Sequence, residues 1–95
     1  MTVSETKYGW WRLGHTGSDF EHEQVLPVLT SKAVGFIENH LETNAGQPFF
    51  VYFPLPAPHT PILPLPEFQD TTGTNPYGDF VVQVDWTVGQ ILETL

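Results

Sequence analysis

The clearest chemical potential in this 95-residue chain lies in "YFPLPAPHTPILPLP", residues 52–66, where six prolines surround a single histidine, His59. An imidazole can donate, accept or pass on a proton near neutral pH. Pro58 and Pro61 close around it, and proline fixes its own φ near −65° while pushing the residue before it into an extended conformation. Ala57 and Thr60 are therefore expected to be extended, leaving His59 little backbone freedom. A positioned acid, base or hydrogen-bond donor needs that restraint. A histidine satisfied by loop backbone, in a proline loop that merely ends a strand, would leave the same pattern. The residues alone leave both readings open.

Three other groups carry chemical residue types. The run from His15 through Asp19, Glu21 and His22 to Glu23 contains metal-ligand side chains, but its spacing fits no zinc or calcium loop. Acidic residues there suit a helix entry, where the N-terminal dipole favours negative charge. Trp10 and Trp11 could stack on a ring or sugar, although adjacent tryptophans also serve packing and interfaces. Asp79 and Asp85 lie six apart and so do not share a helical face. Asp85 falls among apolar positions and is expected to be a buried carboxylate bonded to loop N–H groups.

The elements that must position these groups follow from apolar spacing. Residues 1–22 read as a loop or lead-in, polar and punctuated by Gly9, Gly14 and Gly17. Over residues 23–42, Leu26, Leu29, Ala33, Phe36, Ile37 and Leu41 paint a helical stripe. Pro27 is compatible with that helix only in its first turn. Thr43-Asn44-Ala45-Gly46 and Pro48 supply the stop. The unbroken apolar run Phe49-Phe50-Val51-Tyr52-Phe53 predicts a buried strand over about 48–54, covered on both faces as in a parallel sheet. A long aperiodic loop follows. The last segment alternates partly like a strand, but its length and the pair Asn75-Pro76, an N-cap followed by proline, predict a helix over about 77–95. The class expected is α/β, as a single partial domain over 1–95. His59, six residues past the strand, starts from the sheet edge where open α/β sheets bind ligands.

Composition narrows the partners. Three Lys and Arg against eleven Asp and Glu give a net charge of −8, which argues against nucleic acid and anionic membranes as electrostatic partners. No apolar run approaches the roughly 20 residues of a membrane helix. The first residues lack the apolar core of a secretory signal. There is no cysteine, so a disulfide, a zinc-thiolate site or a cysteine nucleophile cannot form within this chain.

The run "PFFVYFPLPAPHTPILPLPEFQ", residues 48–69, resembles the middle section of arylsulfatases, in the alkaline-phosphatase-like superfamily. There, a P-F-F-L-Y strand leads into an A-P-H-x-P turn. "NPYGDFVVQVDWTVGQILETL", residues 75–95, resembles the helix that follows, with its Y-G-D-x-V-x-x-x-D-x-x-V-G pattern. "GWWRLG" and "GSDFEHEQVLPVLTSKAV" are similar to the segment leading into the preceding helix. The resemblance implies an internal piece of an alkaline-phosphatase-like sandwich, within an enzyme hydrolysing sulfate monoesters. It gives His59 contact with the sulfate or the bridging oxygen. It also implies, for an intact member, a calcium ion and a formylglycine nucleophile made in a C/S-x-P-x-R motif, and a periplasmic, secreted or lysosomal location.

This sequence departs from that pattern in ways that limit the expectation. It contains no Ser-x-Pro-x-Arg, no Asp-Asn-Gly calcium motif, and no lysine or histidine in "WWRLG" where the family has a G-K-W-H-L-G motif. The expected protein is therefore a sulfatase segment that meets a sulfate ester through His59, provides no cofactor site of its own, and is inactive alone. Two alternatives are a self-associating structural module on a sulfatase-like scaffold, pairing through exposed apolar surface, and part of a related phosphodiesterase or phosphonate hydrolase.

Overall fold

The computed structural model describes residues 14–95 throughout and, within residues 1–13, the backbone of two strands. These strands, β1 (Val3–Thr6) and β2 (Gly9–Arg12), pair antiparallel with Val3 opposite Arg12 and Thr6 opposite Gly9. Within the lead-in expected as loop over residues 1–22, Val3–Thr6 and Gly9–Arg12 thus pair as strands, whereas residues 14–21 form no helix or strand. Valine, threonine and tryptophan favour a pleated backbone, and that outweighs the glycine punctuation. The Trp10 and Trp11 side chains lie outside the described residues.

A 3-10 turn at His22–Gln24 leads into helix α1 (Val25–Thr43). Pro27 falls in the first turn, where its missing N–H deprives no carbonyl of a partner. The helix ends within the expected stop signal. The Asn44 N–H donates to the His40 carbonyl at 2.8 Å, and Gly46 follows with φ +89°, a conformation glycine adopts without strain. His40 donates through Nε2 to the Gln47 carbonyl at 2.8 Å and rests its ring on Phe49, centroids 5.0 Å apart. Helix α2 (Pro76–Thr94) starts as its sequence predicts. Asn75 is extended, and its Oδ1 accepts the Gly78 N–H at 2.8 Å.

The helices pack on faces other than those the apolar spacing suggests. From α1, Leu26, Thr30 and Ile37 are buried, while Leu29, Phe36 and Leu41 stay exposed. From α2, Asp79, Phe80, Gln83 and Thr87 are buried, and Val81, Val88 and Leu92 are exposed, as is Leu95 just beyond the helix. Asp85 is exposed, which corrects the expectation of a buried carboxylate there. Helix α2 carries two stripes at three- and four-residue spacing. Its mixed polar stripe turns inward because that stripe holds the hydrogen-bonding partners of the long loop.

Residues 49–53 form no strand. They belong to no helix or strand, with Phe50 87% and Tyr52 79% exposed. The expected buried strand over 48–54 is therefore corrected. Such a run becomes a strand only when a neighbour accepts from its N–H groups and donates to its C=O groups, and no described strand pairs with it. Among the described residues the architecture is thus two helices, a hairpin and a long ordered loop. A small core of Leu26, Ala57, Ile62 and Phe80, flanked by Leu55 and Val84, joins both helices to that loop. No helix among the described residues is long and apolar enough to cross a membrane.

Candidate functional site

After Thr43 the chain turns and travels back along α1, so that Ala57 packs on Leu26 near the helix start. That return brings the proline loop beside the first turn of α1. Ala57 and Ile62, on either side of His59, are both buried in the core. The histidine therefore sits on a short arch whose two feet are anchored by apolar contact. Its backbone N–H donates to the Pro56 carbonyl at 3.2 Å. The Ala57–Pro58 and Thr60–Pro61 bonds are both cis.

The His59 ring is exposed, and its Nδ1 lies 2.8 Å from the Thr60 carbonyl oxygen and 3.3 Å from the Thr60 hydroxyl. A carbonyl oxygen only accepts, so this geometry puts a hydrogen on Nδ1 and leaves Nε2 for an external partner. In the neutral ring Nε2 accepts. Only the doubly protonated ring can donate from Nε2 to an anion oxygen.

A second set of bonds fixes the far side of the loop to α2. Gln83 Oε1 accepts the Leu65 N–H at 2.9 Å, and Gln69 Nε2 donates to the Pro64 carbonyl at 3.0 Å. One turn before Gln83, Asp79 gathers the Asp70 N–H at 2.9 Å, the Thr72 N–H at 3.1 Å and the Thr72 hydroxyl at 2.7 Å. Its carboxyl is held below the ordinary value of 3.8, chiefly by the Thr72 hydroxyl, with burial opposing and the Asp70 and Thr72 N–H groups assisting. Asp79, not Asp85, is the buried carboxylate bonded to loop backbone. Gly78 precedes it because a Cβ there would collide with the Thr74 hydroxyl and press on that of Thr72.

Beyond the loop, the helices meet through hydroxyls. Thr30 donates to the Leu26 carbonyl at 2.8 Å, so the Thr87 hydroxyl, 3.2 Å away, is the donor to Thr30. Gln83 Nε2 is buried and has no partner among the described residues.

The remaining sequence candidates do not converge. His15, Asp19, Glu21 and Glu23 are exposed, and among the described residues no group of three or more His, Asp or Glu could hold a metal ion. Among the described residues, none fit the calcium ion and formylglycine implied by the resemblance. One member of the acidic cluster is nonetheless close to His59. His22 and His59 line the same cavity of about 90 Å³, together with Leu26, Ala57, Leu63 and Phe80.

Comparison with known proteins supplies the family. The chain is 35% identical over 85 residues to an N-acetylgalactosamine-6-O-sulfatase of Bacteroides thetaiotaomicron, covering 90% of this chain and 16% of that protein. It is 32% identical over 75 residues to arylsulfatase H of Homo sapiens, covering 79% of this chain and 13% of the relative. With steryl-sulfatase of Rattus norvegicus the identity is 34% over 67 residues, covering 70% and 12%. No family model matches, and no solved structure matches. The proline loop, the Gly78-Asp79 helix start and three sulfatase relatives agree: by sequence the chain carries a sulfatase-family segment, spanning 16% or less of the length of each of these relatives.

Proposed function

We propose that this chain forms one wall of a sulfate-ester site, within the alkaline-phosphatase-like fold that the sulfatase relatives suggest. In this reading His59 meets the sulfate or the bridging oxygen, and the chain turns over no ester by itself. The carrying observation is the His59 ring, tied at Nδ1 to the Thr60 carbonyl at 2.8 Å on a loop anchored from both sides. A sulfate oxygen only accepts, so the contact uses the doubly protonated imidazole, with Nε2–H as donor. As the bond to the leaving oxygen breaks, the same proton can stabilise the departing alkoxide.

The test has two parts. With phenyl sulfate and calcium, the chain is expected to release no phenol above a His59→Ala control; release above it would end the inactive-segment reading. Titration with phenyl sulfate is expected to move the His59 ring resonances in NMR, and an unmoved ring would return His59 to a structural role. In a complete sulfatase containing this segment, His59→Ala should lower kcat/KM by about 10²–10⁴.

A second reading is favoured by a different observation. Phe50, Tyr52, Leu92 and Leu95 are each at least 66% exposed, and exposed apolar side chains are the means by which copies of a chain pair. Self-association through that surface is the natural alternative for the isolated chain. Light scattering across a concentration series decides it, since a mass that stays at 10.7 kDa would exclude it.

A further inference from the structure

Two oxygens of Thr60 face one nitrogen of His59. Nδ1 lies 2.8 Å from the Thr60 carbonyl oxygen and 3.3 Å from its hydroxyl oxygen. A carbonyl oxygen has no hydrogen to give, and a bare Nδ1 at that distance would set two lone pairs against each other. The hydrogen is therefore on Nδ1, and the hydroxyl beside it accepts as well. A threonine hydroxyl carries one donor and two lone pairs. With a lone pair turned to Nδ1–H, its own hydrogen points away from the ring, and it meets no acceptor among the described residues.

The surroundings of this hydroxyl suit an anion. Residues 52–66 contain no carboxylate, and of the residues lining the cavity beside His59 only Glu23, on the separate 3-10 turn before α1, is acidic. Thr60 is exposed and lines that cavity with His59. The contacts that anchor the arch, Ala57 and Ile62 in the core, hold both residues alike. A sulfate oxygen only accepts, so the outward O–H of Thr60 matches it as Nε2–H of the protonated ring does. The two donors respond differently to pH. On deprotonation the imidazole loses its outward donor, since the remaining hydrogen stays on Nδ1, whereas the hydroxyl keeps its hydrogen.

Resting on the reading of His59 as the sulfate contact, we propose that Thr60 is a second sulfate-contacting residue, its hydroxyl donating to the sulfate while accepting from His59 Nδ1–H. His59 supplies the charged part of the contact, which pH controls. Thr60 supplies a neutral part that persists when the ring is neutral.

The experiment is an NMR titration of the whole chain with inorganic sulfate, below and above the His59 titration midpoint that the ring shifts themselves supply. At the lower pH the Thr60 methyl and the His59 ring signals should move along one binding curve. Above the midpoint binding should weaken but remain measurable at Thr60. Thr60→Val keeps the shape and the carbonyl and removes only the hydroxyl. With an unchanged amide fingerprint, it should weaken sulfate binding about 3–10-fold at the lower pH and abolish it at the higher. Thr60→Ser should bind within about twofold of the wild type. The ring nitrogen shifts of Thr60→Val should still report hydrogen on Nδ1, because the carbonyl remains. Wild-type affinity in Thr60→Val would overturn the Thr60 contact and leave that of His59 standing. So would a wild-type Thr60 methyl that stays unmoved while the His59 ring responds. A weakened Thr60→Val whose ring has moved its hydrogen to Nε2 would also overturn it, since ring placement would then account for the loss. Silence of His59 toward sulfate would remove both contacts together.

Discussion

Residues 49–53 and residues 55–72 are neighbours in the chain with opposite sequence character. The first is an unbroken run of aromatic and β-branched residues, and it leaves Phe50 and Tyr52 almost fully exposed. The second is aperiodic and rich in proline, yet it is fastened along its length. Ala57 and Ile62 enter the core, Leu65 is bonded to Gln83, and Asp70 and Thr72 are bonded to Asp79. Apolar content does not by itself fix a segment in place; an acceptor for each buried N–H does. Helix α2 supplies those acceptors to the loop, and nothing among the described residues supplies them to the run before it.

The largest effect is expected at Phe80, which shares the core with Leu26 of α1 and with Ala57 and Ile62 of the loop. Phe80→Ala should cost about 3–5 kcal/mol, read as a fall in the urea midpoint, and should release the loop together with the helix pair. Next comes Gln83→Ala, which strands the Leu65 N–H without an acceptor and should cost about 1–3 kcal/mol. If that variant melts like the wild type, the side-chain clamp is not what orders the loop.

Asp79 sharpens the same contrast through pH. Its carboxyl is depressed below 3.8 in the folded chain, so its stabilisation is present above that value and lost as pH falls through the depressed one. Thermal melts by circular dichroism should show wild-type stability declining steeply in that acid range. Asp79→Asn should start lower at neutral pH and decline less. The smallest effect belongs to the exposed run: Phe50→Ser should change stability by no more than about 0.5 kcal/mol. A larger loss would mean that residues 49–53 are packed in solution.

Much of this was legible in the sequence, and the failures share a cause. Asn75-Pro76 announced the start of α2 because capping is a local interaction, and Thr43 to Gly46 announced the end of α1 for the same reason. The apolar run over 48–54 predicts a strand that is absent, because pairing depends on a neighbour that periodicity cannot reveal. The inward face of α2 belongs to Phe80, Gln83 and Thr87, while the apolar Val81, Val88 and Leu92 are exposed, which apolar character alone does not reveal. The same apolar logic favours Asp85 over Asp79. The D-T-T-G-T-N-P-Y-G-D stretch, residues 70–79, held the better clue, since a turn rich in threonine just before a helix presents N–H and hydroxyl donors to a carboxylate in its first turn. At the candidate site, His59 stood out through its prolines. His22 did not, because its nearness to His59 arises only when α1 and the returning chain pack together.

Side-chain acceptors on α2 hold the N–H groups of the loop that carries His59, while those of the apolar run before it have none among the described residues, and amide hydrogen exchange on the whole chain tests this directly. The amides of Leu65, Asp70 and Thr72 should be protected, because each is bonded to α2. Those of residues 50–53 should exchange at rates close to those of an unstructured peptide. Protection of residues 50–53 with free exchange at Leu65, Asp70 and Thr72 would contradict the account.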